Sequence, residues 1–251
     1  MPGRGAGQKV VPERLRSDKL AAVERHRRNP GSGFLFDPGA ALCETMLRVA
    51  LTGGVASGKT TVAGMLARQG AHCLHADALA HRLYAPGAPA YDEVVRHFGR
   101  EILDEDGTVN RARLANVVFP DRIHELNAIV HPAVIEAQRA WMAEVGRKDP
   151  GGVAVVEAAL VIEAGAEKDF DCVVVVTCGA EQKVEHYMER TGVSRQTARA
   201  EVERRSRAQL GDEEKARHAD YVIDNSGSLA HTEQQVEKIW SRLLKLAADE
   251  R

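Results

Sequence analysis

After residue 45 the chain alternates short, nearly unbroken apolar runs with longer mixed stretches. The runs are RVALT (48–52), AHCLHA (71–76), VAVVEA (153–158), CVVVVT (172–177) and ADYVID (219–224). A strand with one wet face alternates apolar and polar positions, whereas a strand covered on both faces is apolar throughout. These runs follow the second pattern and predict five strands of a parallel sheet buried between layers. The stretches between them read as helices. The expected fold is therefore α/β, a doubly wound parallel five-stranded sheet.

Two insertions interrupt the alternation and leave a core of residues 46–77, 151–185 and 218–251. Residues 78–150 read as mostly helical, with a turn at DEDG (104–107). Residues 186–217 are densely charged, and two readings stay open for them. One is a mobile lid that brings arginines over a phosphate; the other is a solvated helix pair laced by i,i+4 ion pairs. Residues 1–45 are rich in Arg, Gly and Pro, and Glu13, Asp18 and Glu24 fit poorly with an acid-poor transit peptide. A poorly ordered extension without a catalytic part is expected there, with Met46 a candidate native start.

Composition narrows the function classes. A net charge of −2 offers no basic field for nucleic acid, and 4% aromatic residues make a poor base-stacking platform. No apolar run is long enough to span a bilayer. Cys43, Cys73, Cys172 and Cys178 form no C-x-x-C pair, which favours reduced thiols and a cytoplasmic location. His72, Cys73 and His75 lack a fourth ligand nearby and read as strand residues rather than a metal site. Small-molecule substrates remain, for a monomer or small homo-oligomer.

The strongest chemical signal is ALTGGVASGKTT (50–61). Gly53, four residues, then Gly58-Lys59-Thr60 match G-x-x-x-x-G-K-[ST] between a strand and a helix. In such a loop, glycines let backbone N–H groups face a nucleotide's phosphates, and the following helix adds its positive end. Gly53, Gly54, Ala56, Ser57, Gly58, Lys59, Thr60 and Thr61 are thus the expected ATP contacts. Lys59 reaches the β- and γ-oxygens, and the Thr60 hydroxyl ligates Mg²⁺.

Asp77, in CLHADALAH, falls at the carboxyl end of the second strand, the edge that holds ligands in open α/β sheets. Two roles stay open from the residues alone: orienting or deprotonating an acceptor hydroxyl, or capping a helix. DEDG contains the D-x-x-G of GTPases, but no N-K-x-D accompanies it, and a turn is the better reading. NSG (225–227) offers a possible base contact.

Taken in order, TGGVASGKT, ADALAH, PGAPA, FGREILDEDG, HP and ADYVIDNSG resemble dephospho-CoA kinase, from about Met46 to Ala248. The resemblance implies transfer of the ATP γ-phosphoryl group to the 3′-hydroxyl of the dephospho-CoA ribose, the last step of coenzyme A synthesis. It implies a P-loop kinase core, an insertion at 78–150 that binds the acceptor and a lid at 186–217. It favours Asp77 as base or orienting group. Asp77, His81, Arg111 and His131 would face the acceptor, with His131 starting a helix, and lid Arg190 and Arg205 would hold ATP phosphates, Gln209 completing the pattern. Glu163 ends the family's V-P-L-L-x-E segment. Three positions depart from the family. His75 stands for the first Asp of D-A-D, with Glu157 a possible substitute. Ala159 stands for Pro, and His186 for a lid Arg. Two rivals remain: a P-loop kinase of a nucleoside or nucleotide, and a regulatory ATP-binding module.

Overall fold

A computed structural model of the protein describes residues 46–118 and 121–248. The expected extension at 1–45 lies outside them. Five strands, β1 (Leu47–Gly53), β2 (His72–His75), β3 (Val153–Glu157), β4 (Cys172–Thr177) and β5 (Tyr221–Asp224), form one sheet in the order β2-β3-β1-β4-β5, every pair parallel. The apolar runs locate all five strands within two residues at either end.

Strand periodicity divides the valine-rich runs between two cores. Leu47, Val49 and Leu51 of β1, Val153 and Val155 of β3, and Cys172, Val174 and Val176 of β4 share one cluster. Helices α1 (Lys59–Gln69) and α9 (Leu229–Ala248) close it with Val62, Met65, Leu66, Val236, Ile239, Trp240 and Leu243. The intervening residues Ala50, Val173 and Val175 meet Val161 and Ile162 on the opposite face. A fully buried side chain of this size contributes about 1.5–3 kcal/mol by leaving water. The central strands therefore hold the sheet from both sides.

The insertion is helical, as expected. It contains α2 (Ala76–Leu83), α3 (Tyr91–Phe98), α4 (Arg111–Val118) and α5 (Ile123–Lys148). Leu83, Tyr84, Val94, Phe98, Ile102, Leu114, Val118, Val130 and Val134 form its own core. The DEDG turn is present: the Gly107 N–H bonds the Asp104 carbonyl at 3.0 Å, with Gly107 at φ 82. His131-Pro132 does not start a helix as expected. Pro132 lies inside the 26-residue α5, which continues through it because Val130 and Val134 pack on either side of that point. The proline leaves one carbonyl a turn earlier without its helical donor.

Beyond β4 come α6 (Ala180–Thr191), α7 (Arg195–Ser206) and α8 (Asp212–Arg217). The expected lid boundary at 186 falls inside α6. Its Val184 and Tyr187 pack with Ala198 and Val202 of α7 and with Val55 of the glycine loop, so the base of this segment is joined to the loop itself.

Candidate active site

The loop from Gly53 to Lys59 leaves β1 at its carboxyl edge and turns directly into α1. Its neighbours leave no room for larger residues. A Cβ on Gly53 would meet the Val176 carbonyl, and one on Gly58, at φ 91, would meet the Asn225 amide nitrogen. A Cβ on Gly54 would come within 2.7 Å of Asp212 Oδ1 and 3.0 Å of Lys183 Nζ. Glycine is required here by close approach as well as by backbone angle.

Second-layer groups fix the loop. The buried Asn225 donates its amide to the Ser57 carbonyl at 3.0 Å and accepts from the Thr232 hydroxyl at 2.8 Å. The NSG segment thus supports the loop from behind through Asn225. His186 Nδ1 lies 3.0 Å from the Ala56 carbonyl, which can only accept, so that nitrogen carries the proton. In place of a lid cation, residue 186 supplies a strut under the loop. Lys183 and Asp212 form a 2.8 Å ion pair, and Asp212 also accepts from the Cys178 N–H at 3.2 Å.

Lys59 rests its ammonium on the Gly53 and Gly54 carbonyls at 3.2 and 2.9 Å. Burial pushes its pKa below the ordinary lysine range, against the pull of Glu157 and Asp77, with Lys215 and Arg190 adding to the depression. Those charges are carried by β3, α2, α8 and α6. Asp77 is exposed in the first turn of α2, whose cap residue is His75. The capping role is therefore not its own. Thr60 donates to Glu157 Oε1 at 2.8 Å, and Glu157 Oε2 takes a hydrogen bond from His75 Nδ1. Thr61 follows, exposed on α1.

A cleft of about 470 Å³ opens beside β2, lined by Cys73, Leu74, His75, Ala78, His81, Arg82 and Arg111. His81 and Arg111, from two helices of the insertion, are brought together here. Burial lowers the His81 pKa, the Arg111 charge lowers it further, and Asp77 opposes them. The ring also bonds the Tyr84 hydroxyl. Burial raises the Cys73 thiol to about 11, helped by Glu157, so it stays protonated and unreactive at neutral pH. His131 is exposed on α5 and is not part of this wall.

Arg190 and Arg205 meet on Tyr187, their guanidinium carbons 5.2 and 5.7 Å from its ring centroid. Arg205 also pairs with Glu201 at 3.4 Å. Glu163 accepts from Lys215 and from the Leu210 N–H, at 2.8 and 3.0 Å. Lys215 also bonds the Ala159 carbonyl at 2.8 Å. Gln209 Oε1 is buried without a hydrogen-bond partner among the described residues. Lys183, Asp212 and Lys215 were not marked by sequence reasoning. They sit in charged stretches whose local pattern is that of a wet helix face.

Two observations suit a phosphate-bearing ligand in the loop. The Ser57 hydroxyl is buried and has no partner among the described residues, and the glycines keep open a cradle that a Cβ would fill. The oxygens of Thr60 and Glu157 suit a hard cation. Among the described residues no cluster of three or more His, Cys, Asp or Glu could hold a metal, so a cation there would need further ligands from a bound phosphate or water.

The family model for dephospho-CoA kinase matches residues 47–231. A dephospho-CoA kinase of Geobacter metallireducens is 42% identical over 202 residues, covering 80% of this chain and 98% of its own. One from Syntrophus aciditrophicus is 39% identical over 202 residues, covering 80% and 84%. Among solved structures, TT1252 from Thermus thermophilus is 34% identical with a TM-score of 0.65, over 78% of this chain and 97% of that one. The dephospho-CoA kinase from Campylobacter jejuni shares the fold at 22% identity, with a TM-score of 0.53 over 80% and 99%.

Proposed function

The chain belongs to the dephospho-CoA kinase family, and from that premise we infer the reaction and the residues that carry it. The terminal phosphoryl group of ATP passes to the 3′-hydroxyl of the dephospho-CoA ribose, giving coenzyme A and ADP. This is the last step of coenzyme A synthesis.

ATP lies on the Gly53–Thr61 loop, its phosphates facing backbone N–H groups, the Ser57 hydroxyl and Lys59. Dephospho-CoA occupies the cleft of His81 and Arg111 in the helical insertion. Asp77 orients the attacking hydroxyl and accepts its proton as the new O–P bond forms. Lys59, Arg190 and Arg205 stabilise the charge spread over the transferring group, for which the two arginines leave the Tyr187 ring as the 186–217 segment closes. The Thr60 hydroxyl oxygen, with Glu157 holding its proton, would help hold Mg²⁺, which when bound would supply charge neutralisation at the phosphates. A role for His131 in acceptor binding has less support, because it lies outside the cleft wall.

The observation that carries this reading is the cradle at the carboxyl edge of β1: glycines with no space for a Cβ, a buried Ser57 hydroxyl left unpaired among the described residues, and Lys59 lying across the loop carbonyls. Asp77 lies in the first turn of the helix that follows β2, at the same edge of the sheet, and is exposed there. The test is ADP release with ATP, Mg²⁺ and dephospho-CoA against adenosine, AMP and uridine, with coenzyme A confirmed as product. Asp77→Asn should lower kcat by about 10²–10⁴-fold, the range of general acid–base catalysis, with ATP affinity nearly unchanged. Wild-type turnover by the Asn variant would remove Asp77 from the chemistry. Turnover with a control acceptor alone would reassign the acceptor.

A further inference from the structure

Three side chains run from the acceptor cleft to the phosphate socket, each placed by a different element. His75 ends β2 and forms part of the cleft wall. Glu157 ends β3 directly opposite it in the strand register, and Leu51 of β1 stands opposite Glu157 on the other side. Thr60 lies in the first turn of α1. Glu157, with a side chain only 11% exposed, has one oxygen committed to the His75 ring and the other to the Thr60 hydroxyl at 2.8 Å.

The chemistry of this chain of contacts depends on the imidazole. An ionised carboxylate only accepts hydrogen bonds, so Glu157 needs a donor on each oxygen to be held in one orientation. His75 supplies one N–H and Thr60 supplies one O–H. The Asp that the family resemblance expects at position 75 would offer no donor and would set a second negative charge against Glu157. With His75 in place, the Thr60 hydroxyl proton is directed at Glu157, and its lone pairs are left for the phosphate side. Partners of this outer kind typically change ligand affinity 10–100-fold when removed from metal sites.

We propose that His75 is a positioning residue that couples the two substrate sites: a ligand seated against it fixes Glu157, Glu157 fixes Thr60, and each substrate tightens the other. The proposal rests on the reading that dephospho-CoA occupies the His81–Arg111 cleft. Reciprocity is a thermodynamic requirement, so the factor by which nucleotide tightens acceptor must equal the converse. Coupling through such a chain is local and needs no movement of the sheet, because all three residues stand at the carboxyl edge of β2 and β3 or at the start of α1.

The experiment is calorimetry on the full chain, measuring the Kd of dephospho-CoA alone and with saturating Mg²⁺ and a non-hydrolysable ATP analogue. The wild-type chain should bind dephospho-CoA about 5-fold or more tightly with the analogue present, the lower end of measured couplings. His75→Asn keeps an N–H donor near the Nδ1 position and should retain most of the factor. His75→Asp differs from it only in losing the donor and gaining charge, and its factor should fall to within about 2-fold of unity. The factor is a ratio of two Kd values taken on the same variant, so a change in the affinity for dephospho-CoA alone divides out of it. Position 75 is 46% exposed, so both variants should fold, and their Tm values check it. Equal factors in Asn and Asp variants, or no coupling in the wild type, would overturn the proposal. Dephospho-CoA that binds as well to Arg111→Ala as to the wild type would overturn the acceptor reading first and the proposal with it.

Discussion

Among the described residues the Ser57 hydroxyl is buried with no hydrogen-bond partner, at a point where the backbone is held hard on both sides. Its own carbonyl takes the Asn225 amide at 3.0 Å, and the next residue, Gly58, is pressed against that amide. A buried polar group left unpaired costs about 1–3 kcal/mol. If the absent partner is a phosphate oxygen, one substitution acts with opposite signs in the free and bound states. Ser57→Ala should stabilise the nucleotide-free chain by about 1 kcal/mol in urea unfolding. It should weaken binding of an ATP analogue by about 10-fold, the value of a hydrogen bond to a charged acceptor. Loss of stability in the free chain would mean that the hydroxyl already has a partner, and the phosphate assignment for Ser57 would fall.

At the scale of elements, α8 shows what the sequence conceals. It has six residues, too few to persist alone, and its Lys215 is completely buried. The ammonium is held by Glu163 and the Ala159 carbonyl, both on the segment that follows β3. This pair ties the end of the 186–217 segment to the sheet. Lys215→Ala should cost about 3 kcal/mol or more, because it strands Glu163 near the protein interior. The double variant Lys215→Ala, Glu163→Ala should be less destabilised than the sum of the two single variants by at least about 1 kcal/mol. Strict additivity in denaturant unfolding would show that the pair is not a unit. GDEEKARH, read alone, is a run of charges, and a buried lysine leaves no mark in it because its burial is decided by residues about fifty positions away. The glycine loop is legible for the opposite reason: its chemistry depends on spacing within eight residues. Asp77 lies between these cases, found by its place at a strand end but given its neighbours only by the fold. His131 misled because a His-Pro pair usually marks a helix boundary, and here core contacts carry α5 through the proline.

Across the whole described chain, two cores share one long helix. The first half of α5 packs into the insertion through Val130 and Val134, and its last turns meet the sheet, where Val145 packs with Met46 and Ala154. The runs at β1, β3 and β4 made the sheet readable because central strands covered on both faces hold few polar positions. The edge strands β2 and β5 are only half-buried and carry His and Asp. The separate core of the insertion was not readable, since its helices mix apolar and polar residues around one local cluster. That division has a consequence for dynamics. The sheet is packed on both faces, while α3, α4 and the first half of α5 lean on a single cluster, with a helical hydrogen bond missing at Pro132. Regions with fewer buried contacts open at lower free energy and tend to open as units. Native-state hydrogen exchange should therefore show the amides of α3, α4 and residues 123–134 sharing one opening free energy, below that of β1, β3 and β4. Dephospho-CoA should raise protection mainly in that group, and an ATP analogue mainly at residues 53–61 and along α6. A single opening free energy across insertion and sheet would instead make them one cooperative unit, and acceptor binding would then have to act on the whole molecule at once.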